Sequence, residues 1–236
     1  MATAFRGFPE AGFDFLCELK DNNQRDWFQP RKEVYESAVK APMTDLVEAL
    51  NAEFARFAPE YITEPKRAMH RIYRDVRFSK NKNPYKTNSS ASFHVSAEDK
   101  ESMAGFYFSV SPFQIEFAGG VYMPQPDQML AIRNRIASEL DEWTALVENK
   151  SRKRVLGELQ GDSLTRPPKG FPKDHPADFW IRKKQWLYWD TSVDPSLALS
   201  GKFVKETTRR FEAMYPVIQF LNGAMGKKKA SHSDFF

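Results

Sequence analysis

The sequence predicts an α+β fold: one domain in which an antiparallel sheet of about four to five strands packs against several helices. Two observations predict it. Apolar residues recur at three- and four-residue steps near both ends of the chain, but at near-alternate positions between about 66 and 122, so helical and strand periods occupy separate blocks. The connections inside the middle block are short and polar, as hairpins need, whereas parallel strands need crossovers of a dozen residues or more.

Residues 9–22 place Phe13, Leu16 and Leu19 on one helical face, and Asn22 and Asn23 end that helix. Trp27, Val34 and Val39 lie in a second helical stretch that stops near Lys40. Pro42, tolerated in a first turn, opens a third with Met43, Leu46, Val47, Leu50 and Phe54 inward. In the middle block Phe93 and Val95, then Phe106, Phe108 and Val110, then Phe113, Ile115 and Phe117 predict three or four strands, joined through 96–104 and 111–112. Gly119 and Gly120 predict a bulge or a close backbone approach. A helix from Pro126 carries Met129, Ile132, Ile136, Leu140 and Trp143 on one face and covers the sheet. A Pro- and Gly-rich loop follows at 161–176, then a short strand at 186–189. A last helix from about Asp194 to Asn222 turns Phe203, Phe211, Met214, Val217, Ile218 and Leu221 inward. The domain is expected over 1–225, with 226–236 a basic, flexible tail.

Twenty Phe, eight Tyr and five Trp in 236 residues supply a sizeable core and exclude disorder throughout. No apolar run approaches the ~18 residues of a membrane span, and residues 1–9 lack a signal peptide's pattern, so a soluble, cytoplasmic protein with no membrane partner is expected. The lone Cys17 excludes an intrachain disulfide and, among apolar neighbours, is expected to be buried. A net charge of +4 tolerates an anionic partner without requiring one.

Several chemistries have no motif. There is no GxxxxGK[ST], GxGxxG or GxSxG, which removes the nucleotide-hydrolase, dinucleotide-binding and α/β-hydrolase mechanisms. His70, His94, His175 and His232 form no metal-ligating spacing, so no metal site is expected and the cofactor stays unassigned. His70 is a general base only if a substrate binds beside it.

What remains is the segment from Lys66 to Lys86, with eight Lys or Arg residues against the single acid Asp75. Tyr73, Phe78 and Tyr85 interleave, a mix that suits a ligand offering phosphate or carboxylate together with a flat ring. As a strand, Arg71–Phe78 would set Ile72, Arg74, Val76 and Phe78 on one face, so that a buried Arg74 would need a carboxylate or a bound anion. As a helix it would make Arg71 and Asp75 an ordinary surface pair. Either these arginines and Asp75 form a structural ion-pair network, or they form an anion site. Arg166, Lys169, Lys173 and His175 lie in a proline-stiffened loop that either faces the same ligand or simply packs. Gly170 there would supply a positive φ for a turn.

The run Arg71, Arg74, Asp75, Arg77, Phe78, Asn81, Lys82, Tyr85 is similar to the signature of a bacterial family, also found in fungi, known only as a conserved domain of unknown function. The resemblance extends along the chain through Phe5–Phe8, Leu19–Phe28, Gly119–Arg133 and Arg166–Ala177, and it implies no activity, cofactor or catalytic residue. Two functions follow from the residues themselves. The first is a site for a small anionic ligand, on which an enzyme is also conceivable. Arg71, Arg74 and Arg77 fix the anion, Lys82 and Lys86 add charge, Tyr73 and Tyr85 contact its body, and Asp75 orients an arginine. The second is a nucleic-acid-binding accessory protein. A third reading makes the segment the folding nucleus of a partner-binding protein.

Overall fold

The stripe of apolar residues in the first helix decides its orientation. In the computed structural model, which describes residues 5–95 and 103–226, α1 spans Glu10–Asp21 and buries Gly12, Phe15, Leu16 and Leu19. Cys17 stands about 100° round the helix from Leu16, on the far side of that stripe. It is exposed, against the expectation of a core thiol.

Helix α2 (Arg25–Phe28) and a 3-10 turn at Gln29–Arg31 lead into α3 (Lys32–Val34) and α4 (Ala41–Phe57). The expected break near Lys40 is absent. A π-helical turn over Tyr35–Lys40 joins α3 to α4, with the Ala41 N–H donating to the Glu36 carbonyl. This wider turn relieves the clash between the Pro42 ring and the carbonyl of the preceding turn, so the helix passes through the proline. After a 3-10 turn at Pro59–Tyr61, α5 takes Pro65–Ala68, so residues 66–68 are helical rather than the start of the strand block.

Strands β1 (Ser89–Phe93), β2 (Gly105–Val110), β3 (Ile115–Val121) and β4 (Trp186–Asp190) form one antiparallel sheet in the order β1-β2-β3-β4, giving the expected α+β architecture. Ser111 closes the β2–β3 hairpin: its N–H donates to the Gln114 carbonyl at 3.0 Å, and its Oγ accepts from the Gln114 N–H at 3.0 Å. Phe113, expected in β3, sits in this turn under the Lys20 ammonium, 4.1 Å from its ring centre. Most of the 96–104 connection lies outside the described residues.

Between β3 and β4 in the chain come α6 (Pro126–Ser138), α7 (Leu140–Val147), α8 (Lys150–Leu156) and α9 (Asp178–Ile181). The expected single helix is divided at Glu139 (φ −123°, ψ 42°), whose carboxylate Arg135 holds at 2.7 Å while also reaching the Phe220 carbonyl at 2.8 Å. The bend lays Trp143 against Phe220. The last expected helix is likewise two pieces, a 3-10 turn at Pro195–Leu199 and α10 (Lys202–Met225).

One sheet face presents Phe93, Phe106, Phe108, Ile115 and Phe117 to Phe54 of α4 and to Phe203, Phe211, Met214 and Ile218 of α10, and this is the main core. The two glycines of β3 allow close approach on two sides. A Cβ on Gly119 would stand 2.6 Å from Met214 Sδ of α10, and one on Gly120 (φ +132°) 2.2 Å from the Trp186 carbonyl of β4. No helix among the described residues is long and apolar enough to cross a membrane. The expected tail lies outside them from residue 227 onward.

Candidate functional site

The segment Arg71–Lys86 is neither strand nor helix. It is an irregular arm that leaves the outer edge of β1, where Met69 bridges to Ala91 and the His70 N–H donates to the Ser90 carbonyl at 2.8 Å. Its two limbs pair only briefly. Tyr73 bridges to Tyr85, the Arg74 N–H donates to the Pro84 carbonyl at 2.9 Å, and the Lys86 N–H donates to the Ile72 carbonyl at 2.8 Å. Beyond that pairing the chain turns on local polar bonds: Asn81 Oδ1 accepts the Asn83 N–H at 2.9 Å and Lys82 Nζ donates to the Val76 carbonyl at 3.0 Å. Asn, Asp and Pro at these positions offer the backbone turns in place of a ladder.

The base of the arm, by contrast, is built into the protein. Ile72 and Tyr85 complete a second, smaller core with Phe15, Leu16, Leu19, Phe28 and Val39, in which the Tyr85 ring stacks on Phe28 with centroids 4.1 Å apart. Buried Asn23 accepts the Tyr85 N–H at 3.0 Å and donates to its carbonyl at 3.1 Å, standing in for the missing strand neighbour.

This geometry sorts the candidate residues. Arg74, expected among apolar residues with a buried guanidinium, is only partly buried and donates to the Asn83 carbonyl at 3.0 Å. Phe78, expected on the same face, is 95% exposed. Asp75 pairs with Arg77 at 2.7 Å, and that guanidinium holds its carboxyl below the usual range. Tyr85 is closed off in the small core. Arg71, Tyr73 and Lys86 remain. Lys86 is half-buried, and burial together with the neighbouring Arg71 charge pushes its ammonium below the usual lysine range. Among the described residues neither cation makes a salt bridge to a carboxylate, although the Arg71 charge is felt by Asp75.

No hydrogen bond or ion pair joins the proline-rich loop to this set among the described residues. Gln160 bridges to Leu187 and the Leu164 N–H donates to the Arg182 carbonyl, which ties the loop's start to β4. The arm springs from β1 at the opposite edge, three strand spacings or roughly 14 Å away. The loop that carries Arg166, Lys169 and His175 thus starts at the sheet edge opposite the one from which the arm leaves. His175 accepts the Ala177 N–H through Nδ1 at 3.0 Å, and Gly170 supplies the positive φ, +97°.

The buried arginines are elsewhere. Arg210 of α10 is 3% exposed, bonded to Asp190 of β4 at 2.7 Å and to Glu206. Arg133 of α6 is 7% exposed and donates to the Lys183 carbonyl at 2.9 Å. Arg210 had a readable signal, since it stands seven residues after Phe203 and four before Met214, inside the apolar stripe.

The second face of the sheet carries Ser90, Ser92, Tyr107, Ser109, Glu116, Ala118, Leu187 and Trp189, by alternation with the core residues. Its end nearer the arm is polar: Ser109 and Ser90 bond the Tyr107 hydroxyl, burial pushes the Glu116 carboxyl up, and Asn88 reaches Ser109 Oγ at 2.5 Å. His70 joins from the edge, with Nε2 2.7 Å from Ser92 Oγ. The other end opens into a groove of about 620 Å³. Among the described residues no group of three or more His, Cys, Asp or Glu is placed to hold a metal ion.

The profile described as "Conserved hypothetical protein (DUF2461)" matches residues 11–220, which takes in α1, the arm, the whole sheet and most of α10. The chain belongs to this family. No curated protein and no solved structure matches it. Family membership thus covers the arm and both cores, and names no activity for either.

Proposed function

We propose that the protein binds a small phosphate- or carboxylate-bearing ligand at the base of the arm. Arg71 and Lys86 fix the anion, and Tyr73, 45% exposed, lies against its body. The observation that carries this reading is the juxtaposition of Lys86, half-buried, with Arg71, where no salt bridge to a carboxylate reaches either cation among the described residues and Asp75, which feels the Arg71 charge, is bonded to Arg77. The half-buried Lys86 ammonium lies near the exposed Arg71 guanidinium, and a bound anion offsets both their repulsion and the hydration that Lys86 has lost. Of the other arm cations, Arg74, Arg77 and Lys82 are engaged by neighbouring groups and add long-range attraction.

The test is a thermal-shift titration with inorganic phosphate, pyrophosphate and citrate on the wild type and on Lys86→Met. A ligand at a hundred times its Kd adds about 2.7 kcal/mol, and the variant should lose that shift while melting as a folded protein. A wild type that responds to none of the three, or a variant that responds equally, would overturn the reading.

One observation favours a nucleic acid as the ligand. Phe78 stands 95% exposed beyond the pairing of the limbs, with the Arg77 guanidinium 5.7 Å from its ring centre, an arrangement on which an unpaired base can stack. Salt separates the two cases. Contact with about six phosphates loses ~10³ in affinity between 50 and 200 mM salt, and a single small anion loses far less.

A further inference from the structure

The groove on the second sheet face is concave, and among the described residues its lining has one basic side chain, the imidazole of His94, and no acid. It is lined by Ser92, Tyr107, Ala118, Tyr122, Leu187 and Trp189, among other residues that include no Lys, Arg, Asp or Glu. Ala118 is the cross-strand neighbour of Tyr107 on one side and of Trp189 on the other. Only a methyl group therefore stands between two rings whose centroids are 6.5 Å apart. The floor continues through Gly120 opposite Gly105, neither of which carries a side chain, with the His94 ring standing beside Gly105. At the rim, Tyr122 and Met123 are 63% and 69% exposed, large apolar groups left in water beside the groove.

We infer that this groove binds a small neutral molecule built on a flat ring system, seated over Ala118 against Tyr107 and Trp189. Its volume of about 620 Å³ is that of a small-molecule site, which runs roughly 300–1,000 Å³. A protein partner would instead cover about 800 Å² of its surface. Among the described residues the lining holds no Lys, Arg, Asp or Glu and a single imidazole, His94, so an ion entering the groove would lose its hydration with little compensation, which favours an uncharged ligand. Ring faces against Tyr107 and Trp189 gain contacts in the offset or edge-on arrangements that aromatic pairs favour. Ser92 Oγ, held by His70 Nε2 at 2.7 Å, offers an oriented hydroxyl at the arm side, so the ligand's polar edge points that way. The site is separate from the arm's anion site and does not depend on it.

The experiment is ligand-observed NMR saturation transfer on the full chain with indole, adenosine and riboflavin as probes, followed by titration of whichever bind. The expected result is saturable binding of at least one probe by the wild type. Ala118→Leu, which fills the space between the two rings, should weaken that binding tenfold or more, and Lys86→Met should leave it unchanged. If Ala118→Leu does not fold by circular dichroism, Trp189→Ala takes its place, since that side chain is already 37% exposed. Absence of binding by all three probes, or wild-type affinity in the folded groove variant, overturns the inference. Loss of ring binding in Lys86→Met would mean that groove and arm are one site, and would overturn their independence.

Discussion

Two arginine–carboxylate pairs in this protein share one chemistry and differ in almost everything else. Arg77 and Asp75 meet at 2.7 Å beyond the arm's pairing, with side chains 76% and 45% exposed. Arg210 and Asp190 meet at the same distance between α10 and β4, with side chains 4% and 10% exposed. Water screens the first pair and supplies what either partner would lose. The second has no such recourse, so burial, not contact distance, decides which pair the fold depends on.

The largest effect should therefore come from Arg210→Met. It leaves Asp190 and Glu206 without their shared cation, and breaking a buried pair from one side costs about 3–5 kcal/mol. Urea denaturation should show the loss as a lower midpoint with an unchanged slope. Adding Asp190→Asn should restore part of it, because the penalty is mainly the orphaned carboxylate. A single variant as stable as the wild type would break the comparison at once.

The same network predicts the acid limb of stability. Burial pushes Asp190 up, but its bonds with Ser192 and Arg210 outweigh that and leave its carboxyl below the usual range. Glu206 is held low by Arg209 and Arg210. A carboxylate whose folded pKa lies below its unfolded value contributes stability above the unfolded value, about 4, and loses it as pH falls through the folded one. Thermal unfolding should accordingly drop below about pH 4, and Arg210→Met should flatten that drop. A steeper fall in the variant would contradict the assignment.

A smaller effect belongs to Asn23→Ala at the base of the arm. It strands the buried N–H and carbonyl of Tyr85, and unpaired backbone groups of this kind cost about 1–3 kcal/mol. Hydrogen exchange should speed up at Tyr85 and Lys86 more than in β2 or β3. Equal acceleration everywhere would show that the small core and the main core open as one unit.

These pairs also show which parts of the molecule were legible in its sequence. The sheet and its helices were, because Phe106, Phe108 and Phe117 alternate and the α10 stripe repeats at helical steps; both periods report burial directly. The breaks were not. Pro42 signalled a new helix, yet a π turn carried the old one past it, and Glu139 broke a helix whose apolar pattern continued across the bend. The arm misled for another reason. Alternation in Arg71–Phe78 has meaning only where a neighbouring strand exists, and beyond Tyr73 none does. A buried arginine with carboxylate partners does occur, but at Arg210 rather than Arg74, while the buried Arg133 donates to the Lys183 carbonyl. The groove left no periodic trace, since Ala118 and Gly120 matter there for side chains they lack.

The smallest effect is expected at the exposed pair, and it is the one that sharpens the function. Arg77→Ala should leave the unfolding midpoint unchanged, because the guanidinium and the Asp75 carboxylate return to water. Its influence on binding depends on the ligand. An anion held by Arg71 and Lys86 is contacted at the base of the arm, so Arg77→Ala and Phe78→Ala should change its affinity little. A nucleic acid lies along the arm and over Phe78, so the same variants should weaken binding of a single-stranded oligonucleotide, Arg77→Ala by removing about one phosphate contact from the salt dependence and Phe78→Ala by about 1–3 kcal/mol of stacking at constant salt slope. Fluorescence anisotropy at several salt concentrations reads both quantities together. A reduced slope in one variant and an unchanged slope in the other would place the nucleic acid on the arm, and identical titrations in all three proteins would confine any ligand to the arm's base.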